Sequence, residues 1–185
     1  MILFINACVR KKSRTKELAD YVLSKRKEPY KEVSLNAIDF PLVDEDFLKR
    51  RDRLIAHRAF GDPVFDLARQ FAEADEIVIA APFWDLSFPA ALKQYLEQIN
   101  VCGITFFYTP EGIPTGLCRA KRLSYITTVG GEFFPEEYGA GYLKALAQNF
   151  YGIPEFRLIK ATGLDLIGAN IEAILDSAKK SIEAD

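Results

Sequence analysis

Short apolar runs alternate with amphipathic stretches along this chain of 185 residues. Continuous apolar runs are typical of strands that are buried on both faces of a sheet. Apolar runs predict two strands, at Ile2–Ala7 and Ile77–Ala81. We interpret Lys31–Leu35 as a short strand, and Arg122–Thr128 and Phe156–Ala161 as two further strands. Between and after these runs, apolar residues recur at helical spacing.

A predicted helix follows each strand, because apolar residues recur at i, i+3, i+4 and i+7. Asp62 and Pro63 favour the start of the second helix, and Pro89 fits the first turn of the third. The helical positions are Thr15, Leu18, Ala19 and Val22; Phe65, Leu67, Ala68, Phe71 and Ala72; Leu92, Leu96 and Ile99; Tyr142–Phe150; and Ile167, Ile171, Ile174, Leu175 and Ala178. Alternation of this kind makes a parallel sheet with helices on both faces. We therefore expect an α/β fold with a flavodoxin-like, doubly wound, five-stranded parallel sheet in the order 2-1-3-4-5, formed by a single domain over residues 1–185.

Charge and composition exclude several classes of function. A net charge of −2 argues against nucleic-acid binding, which needs clustered Lys and Arg. No apolar run approaches the roughly 20 residues of a membrane span, and the first residues lack the basic region of a signal peptide. Cys8, Cys102 and Cys118 form neither a CxxC motif nor a disulfide framework, so we expect a cytoplasmic protein without a metal site. His57 is the only histidine, and we interpret it as a solvated residue on a surface helix.

The ligand of such a fold is expected where three loops meet. Open α/β sheets bind ligands outside the carboxyl ends of their strands, at the point where the strand order reverses. In the order 2-1-3-4-5 the loops that share this crevice are Cys8–Thr15, Pro82–Phe88 and Thr128–Phe134.

The first loop has no glycine, so it is neither a dinucleotide-binding turn nor a P-loop. It carries basic residues and then Ser13 and Thr15 at a predicted helix N-terminus, which favours an anion site. The alternative is that Ser13 only caps the helix and the basic residues are solvated.

The second loop carries Trp84, two phenylalanines and two prolines directly after a buried strand. A stiff aromatic loop suits a planar ligand, although the same residues are also typical of a loop that closes the core. The third loop contains Gly130 and Gly131, which allow either a close approach of backbone to a ligand or a tight turn.

Four segments carry a family resemblance. Ala80–Pro89 with Leu92–Leu96 is similar to the stretch AAPMYNFxxPxxLKxYxD, and Gly103–Thr109 is similar to GxTFxYT. Thr128–Gly131 resembles an S-R-G-G turn, and Phe150–Ile153 matches FxGI. In this order and spacing, the segments resemble FMN-dependent NAD(P)H azoreductases and quinone reductases with a flavodoxin-like fold.

The resemblance implies FMN as cofactor, NADH or NADPH as co-substrate, and a quinone or azo compound as acceptor. It implies a two-electron ping-pong reaction without a catalytic side chain, and a homodimer. Ser13, Arg14 and Thr15, with Arg10, would contact the phosphate. The ring and ribityl chain would contact Pro82, Phe83, Trp84, Asp85, Leu86, Thr128, Val129, Gly130 and Gly131.

Two positions depart from the family pattern, because Asp85 stands where Asn is frequent and Val129 where Arg is frequent. A carboxylate beside the flavin disfavours added negative charge. Two other hypotheses stay open: a flavodoxin-like electron carrier, and a flavin-free binding module on the same fold. Cys8 is either a reactive thiol at a helix N-terminus or a small residue at a tight strand end.

Overall fold

The computed structural model of the protein describes residues 1–183. Five parallel strands form the main sheet: β1 (Ile2–Asn6), β2 (Tyr30–Ser34), β3 (Glu76–Ala80), β6 (Arg122–Thr128) and β7 (Glu155–Ala161). A separate antiparallel hairpin consists of β4 (Phe106–Tyr108) and β5 (Pro114–Gly116). The helices are α1 (Arg14–Ser24), α2 (Glu45–Ala56), α3 (Asp66–Glu73), α4 (Ala90–Ile99), α5 (Ala140–Ala145) and α6 (Ile171–Glu183).

The strand order in the main sheet is β2-β1-β3-β6-β7. The predicted fourth and fifth strands are β6 and β7, so the five predicted strands lie in the predicted order, and the numbering differs because the hairpin strands β4 and β5 were not predicted. The hairpin strands β4 and β5 lie between β3 and β6 along the chain and pair with each other, not with the main sheet. Each is three residues long, which is too short for a period-2 pattern to appear in the sequence. The α/β class and the parallel pairing agree with the prediction.

The sheet separates two apolar cores, because successive side chains of a strand point to opposite faces. Leu3 and Ile5 of β1 face one core, which also contains apolar side chains of α3, α4 and α5. Phe4 and its neighbour Val78 in β3 face the other core, together with Leu18 of α1 and side chains of α6. Burial on both faces explains the continuous apolar runs in the central strands.

Helix α2 lies on the surface and has no buried residue. It is tied to the fold by Arg51, whose Nη1 donates to the carbonyl oxygen of Glu97 (3.1 Å) and whose Nη2 donates to that of Asn100 (2.8 Å). These carbonyls end α4, so the guanidinium satisfies acceptors that have no partner inside the helix. Burial lowers the pKa of Arg51.

Three predicted helix boundaries differ from the structure. The helix predicted over Tyr142–Phe150 is the short α5 followed by a π-helical turn over Leu146–Tyr151. Ile167 lies outside α6 and is fully exposed, so its match to the apolar stripe was wrong. Pro89 precedes the first residue of α4, where its fixed φ suits the entry to a helix.

Candidate functional site

The loops at the carboxyl ends of β1, β3, β6 and β7 surround a cavity of about 390 Å³. This volume lies near the lower end of the range for small-molecule sites. The predicted site residues that line the cavity are Arg10, Ser13, Arg14, Thr15, Pro82, Phe83, Trp84, Thr128, Val129 and Gly130. Asp85 and Gly131, which adjoin lining residues, and Leu86, which follows Asp85, are not part of the lining. The prediction missed Val9, Lys12, Leu164 and Asp165.

The β1–α1 loop offers unused donors to the cavity. The hydroxyl of Ser13 accepts a hydrogen bond from the backbone of Lys16 at 3.2 Å, so Ser13 caps α1 and also lines the cavity. Within the described part of the chain, the amide groups of residues 9–15 donate no hydrogen bond. Together with the α1 dipole and the cations Arg10 and Lys12, they give this end of the cavity the chemistry that suits an anion.

A hydroxyl pair joins the first loop to the end of β6. The Oγ1 atoms of Thr15 and Thr128 are 2.6 Å apart, and Thr15 is 1% exposed. One hydroxyl donates to the other, and the hydrogen of the accepting hydroxyl is left for a third group. Because both residues line the cavity, the pair adds a neutral donor beside the loop amides and the cations.

The β3–α4 loop forms an aromatic wall that is fixed by its backbone. The amide of Phe83 donates to the carbonyl oxygen of Thr128 at 3.1 Å, and the Phe83 ring meets the edge of Phe134 at 4.9 Å between centroids. Trp84 is 38% exposed, whereas Phe88 packs on the apolar core. The interpretation that these aromatics close the core therefore fits Phe88 and not Trp84.

Asp85 and Leu86 form the tip of this loop in a strained turn. Trp84 and Ser87 exchange two backbone hydrogen bonds of 3.1 and 2.7 Å around the tip. Asp85 and Leu86 have φ values of 48° and 68°, which are typical of the central residues of a type I′ turn. For a leucine this conformation costs about 1–2 kcal/mol. Among residues 1–183, neither amide has a hydrogen-bond acceptor.

The opposite wall continues the pairing of β6 with β7 beyond the sheet. Gly163, Leu164 and Asp165 donate backbone hydrogen bonds to Gly131, Val129 and Gly130 respectively, at 2.8, 3.2 and 2.8 Å. A Cβ atom on Gly130 would lie 2.5 Å from Oδ2 of Asp165, so glycine permits this close approach.

Cys8 is buried at the end of β1, where its thiol lies 3.7 Å from the carbonyl oxygen of Ala80. Burial raises the pKa of Cys8 and outweighs the opposing effect of a hydrogen bond with Ser13. A thiol that stays protonated is a poor nucleophile, so the structure favours packing over reactivity at this position.

The described residues that line the cavity include no histidine and no group of side chains that could hold a metal ion. Within residues 1–183, no three His, Cys, Asp or Glu side chains converge to hold a metal ion. His57 follows α2, is exposed, and does not line the cavity. None of the helices over the same range has the length and apolar character of a membrane span.

The cavity fits a cofactor that has a phosphate at one end and a flat ring at the other. Unused amide donors, hydroxyl groups and cations stand at one end, and Pro82, Phe83 and Trp84 at the other. Gly130 leaves the wall between them without a side chain.

Comparisons with known proteins agree with this arrangement. The profile of the flavodoxin-like fold family matches residues 1–185. An FMN-dependent NADH:quinone oxidoreductase of Lachnoclostridium phytofermentans is 36% identical over 97% of this chain and 94% of its own. A protein of the same name from Clostridium beijerinckii is 38% identical over 96% and 93%. The crystal structure of an azoreductase from Bacillus anthracis superposes with a TM-score of 0.82 at 23% identity, covering 99% of this chain and 96% of its own. The chain therefore belongs to the flavodoxin-like family that includes these FMN-dependent NADH:quinone oxidoreductases.

Proposed function

We propose that the protein is an FMN-dependent oxidoreductase that transfers two electrons from NADH or NADPH to a quinone or azo compound. One observation carries the proposal: the unused amides of the β1–α1 loop and the aromatic β3–α4 loop face the same cavity. The relatives named above, which align over nearly the whole chain, bear the corresponding name.

The phosphate of FMN would bind at the N-terminal end of α1. The loop amides, the hydroxyls of Ser13 and Thr15 and the cations Arg10, Lys12 and Arg14 line this end of the cavity. Among residues 1–183, Asp165 is the only carboxylate in the lining, so the four charged lining residues sum to a net charge of +2. A phosphate monoester carries about −1.5 to −2 at neutral pH, which this charge balances.

The isoalloxazine ring would lie along Pro82, Phe83 and Trp84. The amides of Phe83 and Trp84 already donate to Thr128 and Ser87, so they have no hydrogen left for the ring. The unused amides of Asp85 and Leu86 are the donors that this loop offers to a ring edge. Gly130 and Gly131 offer two more on the opposite side.

When bound, FMN supplies the redox chemistry by accepting a hydride from NADH or NADPH and passing two electrons to the acceptor. The chain's own residues bind the phosphate, hold the ring against the aromatic wall and leave one face for the two substrates in turn. In the described part of the chain the lining contains no unpaired carboxyl group, because Asp165 is paired with Arg14 at 2.8 Å. We therefore expect the proton that accompanies the hydride to come from solvent, with no catalytic side chain.

We also propose a homodimer whose interface covers the mouth of the cavity. Leu86, Phe133 and Tyr138 are 46%, 73% and 56% exposed and lie in the loops that follow β3 and β6. Apolar side chains clustered at one rim are typical of a surface that is covered by a partner. In the hairpin Phe106 is buried while Tyr108 is 52% exposed, so the aromatic segment is only partly covered by its own subunit.

Residues 1–185 would act as one domain in the cytoplasm. Two apolar cores on the faces of one sheet support a single folding unit. Cys8, Cys102 and Cys118 are free thiols, which suits a reducing compartment.

Anaerobic absorbance spectroscopy tests the proposed activity. The purified protein is titrated with FMN and then mixed with NADH or NADPH, and a soluble quinone is added last. We expect the flavin absorbance to bleach without a long-wavelength intermediate and to return with the quinone. Bleaching only by dithionite would indicate an electron carrier, and absence of flavin binding would indicate a binding module. Light scattering during gel filtration measures the oligomeric state.

A further inference from the structure

Asp85 carries an unpaired carboxylate at the tip of the β3–α4 loop. Within residues 1–183 its side chain makes no hydrogen bond and no ion pair. Other carboxylates around the cavity are neutralised by a neighbouring cation. Asp165 in the lining is paired with Arg14 at 2.8 Å. Glu136 on the β6–α5 loop is paired with Lys160 at 2.6 Å. Asp85 therefore adds a negative charge that the described part of the chain leaves uncompensated.

The turn holds this charge beside the aromatic wall. Trp84, which lines the cavity, exchanges backbone hydrogen bonds of 3.1 and 2.7 Å with Ser87 around the tip. Asp85 directly follows Trp84, so it stays next to the wall as long as this pair of hydrogen bonds is formed. Its φ of 48° is a conformation that aspartate and asparagine adopt more readily than other residues with a side chain. Asparagine can therefore replace Asp85 without a change in the turn.

Hydride transfer changes the charge of a flavin ring. A hydride takes two electrons and one proton from the nicotinamide, which becomes cationic. The ring gains one negative charge and keeps it until a second proton arrives from solvent. A carboxylate near the ring edge opposes this added charge, because like charges repel each other. The unused amides of Asp85 and Leu86 favour it, so the side chain and the main chain of the loop tip act in opposite directions.

We propose that the Asp85 carboxylate lowers the two-electron reduction potential of the bound FMN, an inference that rests on the proposed function. The reduced cofactor is then a stronger reductant toward the acceptor than it would be beside an uncharged side chain. Two unit charges a few ångströms apart in water change an equilibrium constant by about fivefold. For a two-electron couple, this fivefold change corresponds to about 20 mV.

The reduction potential of bound FMN in the wild-type protein and in Asp85→Asn tests this inference. It is measured against a reference dye during anaerobic reduction at a series of pH values. The slope of the potential against pH gives the number of protons taken up, and the two proteins are compared where one proton accompanies the two electrons. We expect Asp85→Asn to raise the potential by about 20 mV, because the reduced cofactor then binds about fivefold more tightly relative to the oxidised one. The affinity for oxidised FMN should change by less than about twofold, because the oxidised ring is neutral.

The salt dependence separates an effect of charge from an effect of shape. Asp85 is exposed, so dissolved ions screen its charge. At about 1 M salt the screening length is only about 3 Å, and the difference between the two proteins should fall below about twofold in the equilibrium constant. A structural effect of the substitution would persist at this salt concentration.

Asp46→Asn is the matched control, because it removes the same charge from an exposed position of α2, which does not line the cavity. It should leave the potential unchanged. The inference would be overturned, and the proposed function left intact, by an unchanged potential in Asp85→Asn, by an equal shift in Asp46→Asn or by a shift that persists in full at high salt. Uptake of two protons at every pH would overturn it as well, because the ring would then keep no added charge. Failure of wild-type protein to bind FMN would instead contradict the proposed function.

Discussion

Replacing Thr15 with valine should weaken both the fold and flavin binding. Valine keeps the shape of the side chain but removes the hydroxyl that lies 2.6 Å from the hydroxyl of Thr128. A typical hydrogen bond contributes about 1 kcal/mol, and an unsatisfied buried partner adds to the loss. Thr128 is half-buried and can turn toward the cavity, which limits the second effect. We expect the free energy of unfolding to fall by about 1.5 kcal/mol.

A double-mutant cycle isolates the hydroxyl pair from other effects. Thr128→Val alone should cost about 1 kcal/mol or slightly more, and the double variant about as much as Thr15→Val. The coupling energy is then about 1 kcal/mol, measured by urea unfolding of the flavin-free protein. Thr115→Val, at an exposed position of the hairpin, is the control and should change stability by less than about 0.5 kcal/mol.

The same variants connect stability to cofactor binding. Each single variant still has one hydroxyl hydrogen to offer to FMN, whereas the double variant has none, so FMN binding should weaken by about tenfold in the double variant and by less in either single variant. Full additivity, with a coupling energy below about 0.3 kcal/mol, would refute the hydroxyl pair as a joint between the loops.

Three further substitutions test a close backbone contact, the end of helix α4 and a buried thiol. Gly116→Ala brings a Cβ atom within 2.1 Å of backbone at Tyr151 and should cost about 3 kcal/mol in urea unfolding, whereas Gly61→Ala enters open space and should be nearly neutral. Arg51→Met leaves the last carbonyls of α4 without a donor and should lower the free energy of unfolding by about 2 kcal/mol. Burial raises the pKa of the Cys118 thiol from 9.0 to about 12, so above pH 9 the unfolded chain releases this proton first. Stability should therefore fall with rising pH by up to about 1.4 kcal/mol per unit, and the Cys118→Ala variant should show a shallower fall at pH 9–10.

The elements that could be predicted from the sequence are those whose burial in or against the main sheet gives them a regular apolar pattern. Strands β1 and β3 are buried on both faces, so their sequences show continuous runs. Helix α2 buries no residue, which leaves little pattern to detect, and only its C-terminal end near His57 was predicted as surface helix.

The residues that line the cavity could also be predicted only in part. Residues in loops that follow strands were found because topology brings those loops together. Leu164 and Asp165 were missed because they contact Arg14, which lies 150 and 151 positions away, and such a contact has no local sequence signal. Asp85 and Leu86 form a turn beside the lining, and their contact with the ring stays a prediction.

Main-chain hydrogen bonds join residues 129–131 to residues 163–165 in one wall of the cavity. A surface built from amides and carbonyls keeps its shape when most of its side chains are exchanged. Substitutions there would alter polarity toward the acceptor while leaving the fit to the cofactor intact. Acceptor preference in this family should therefore drift faster than cofactor identity.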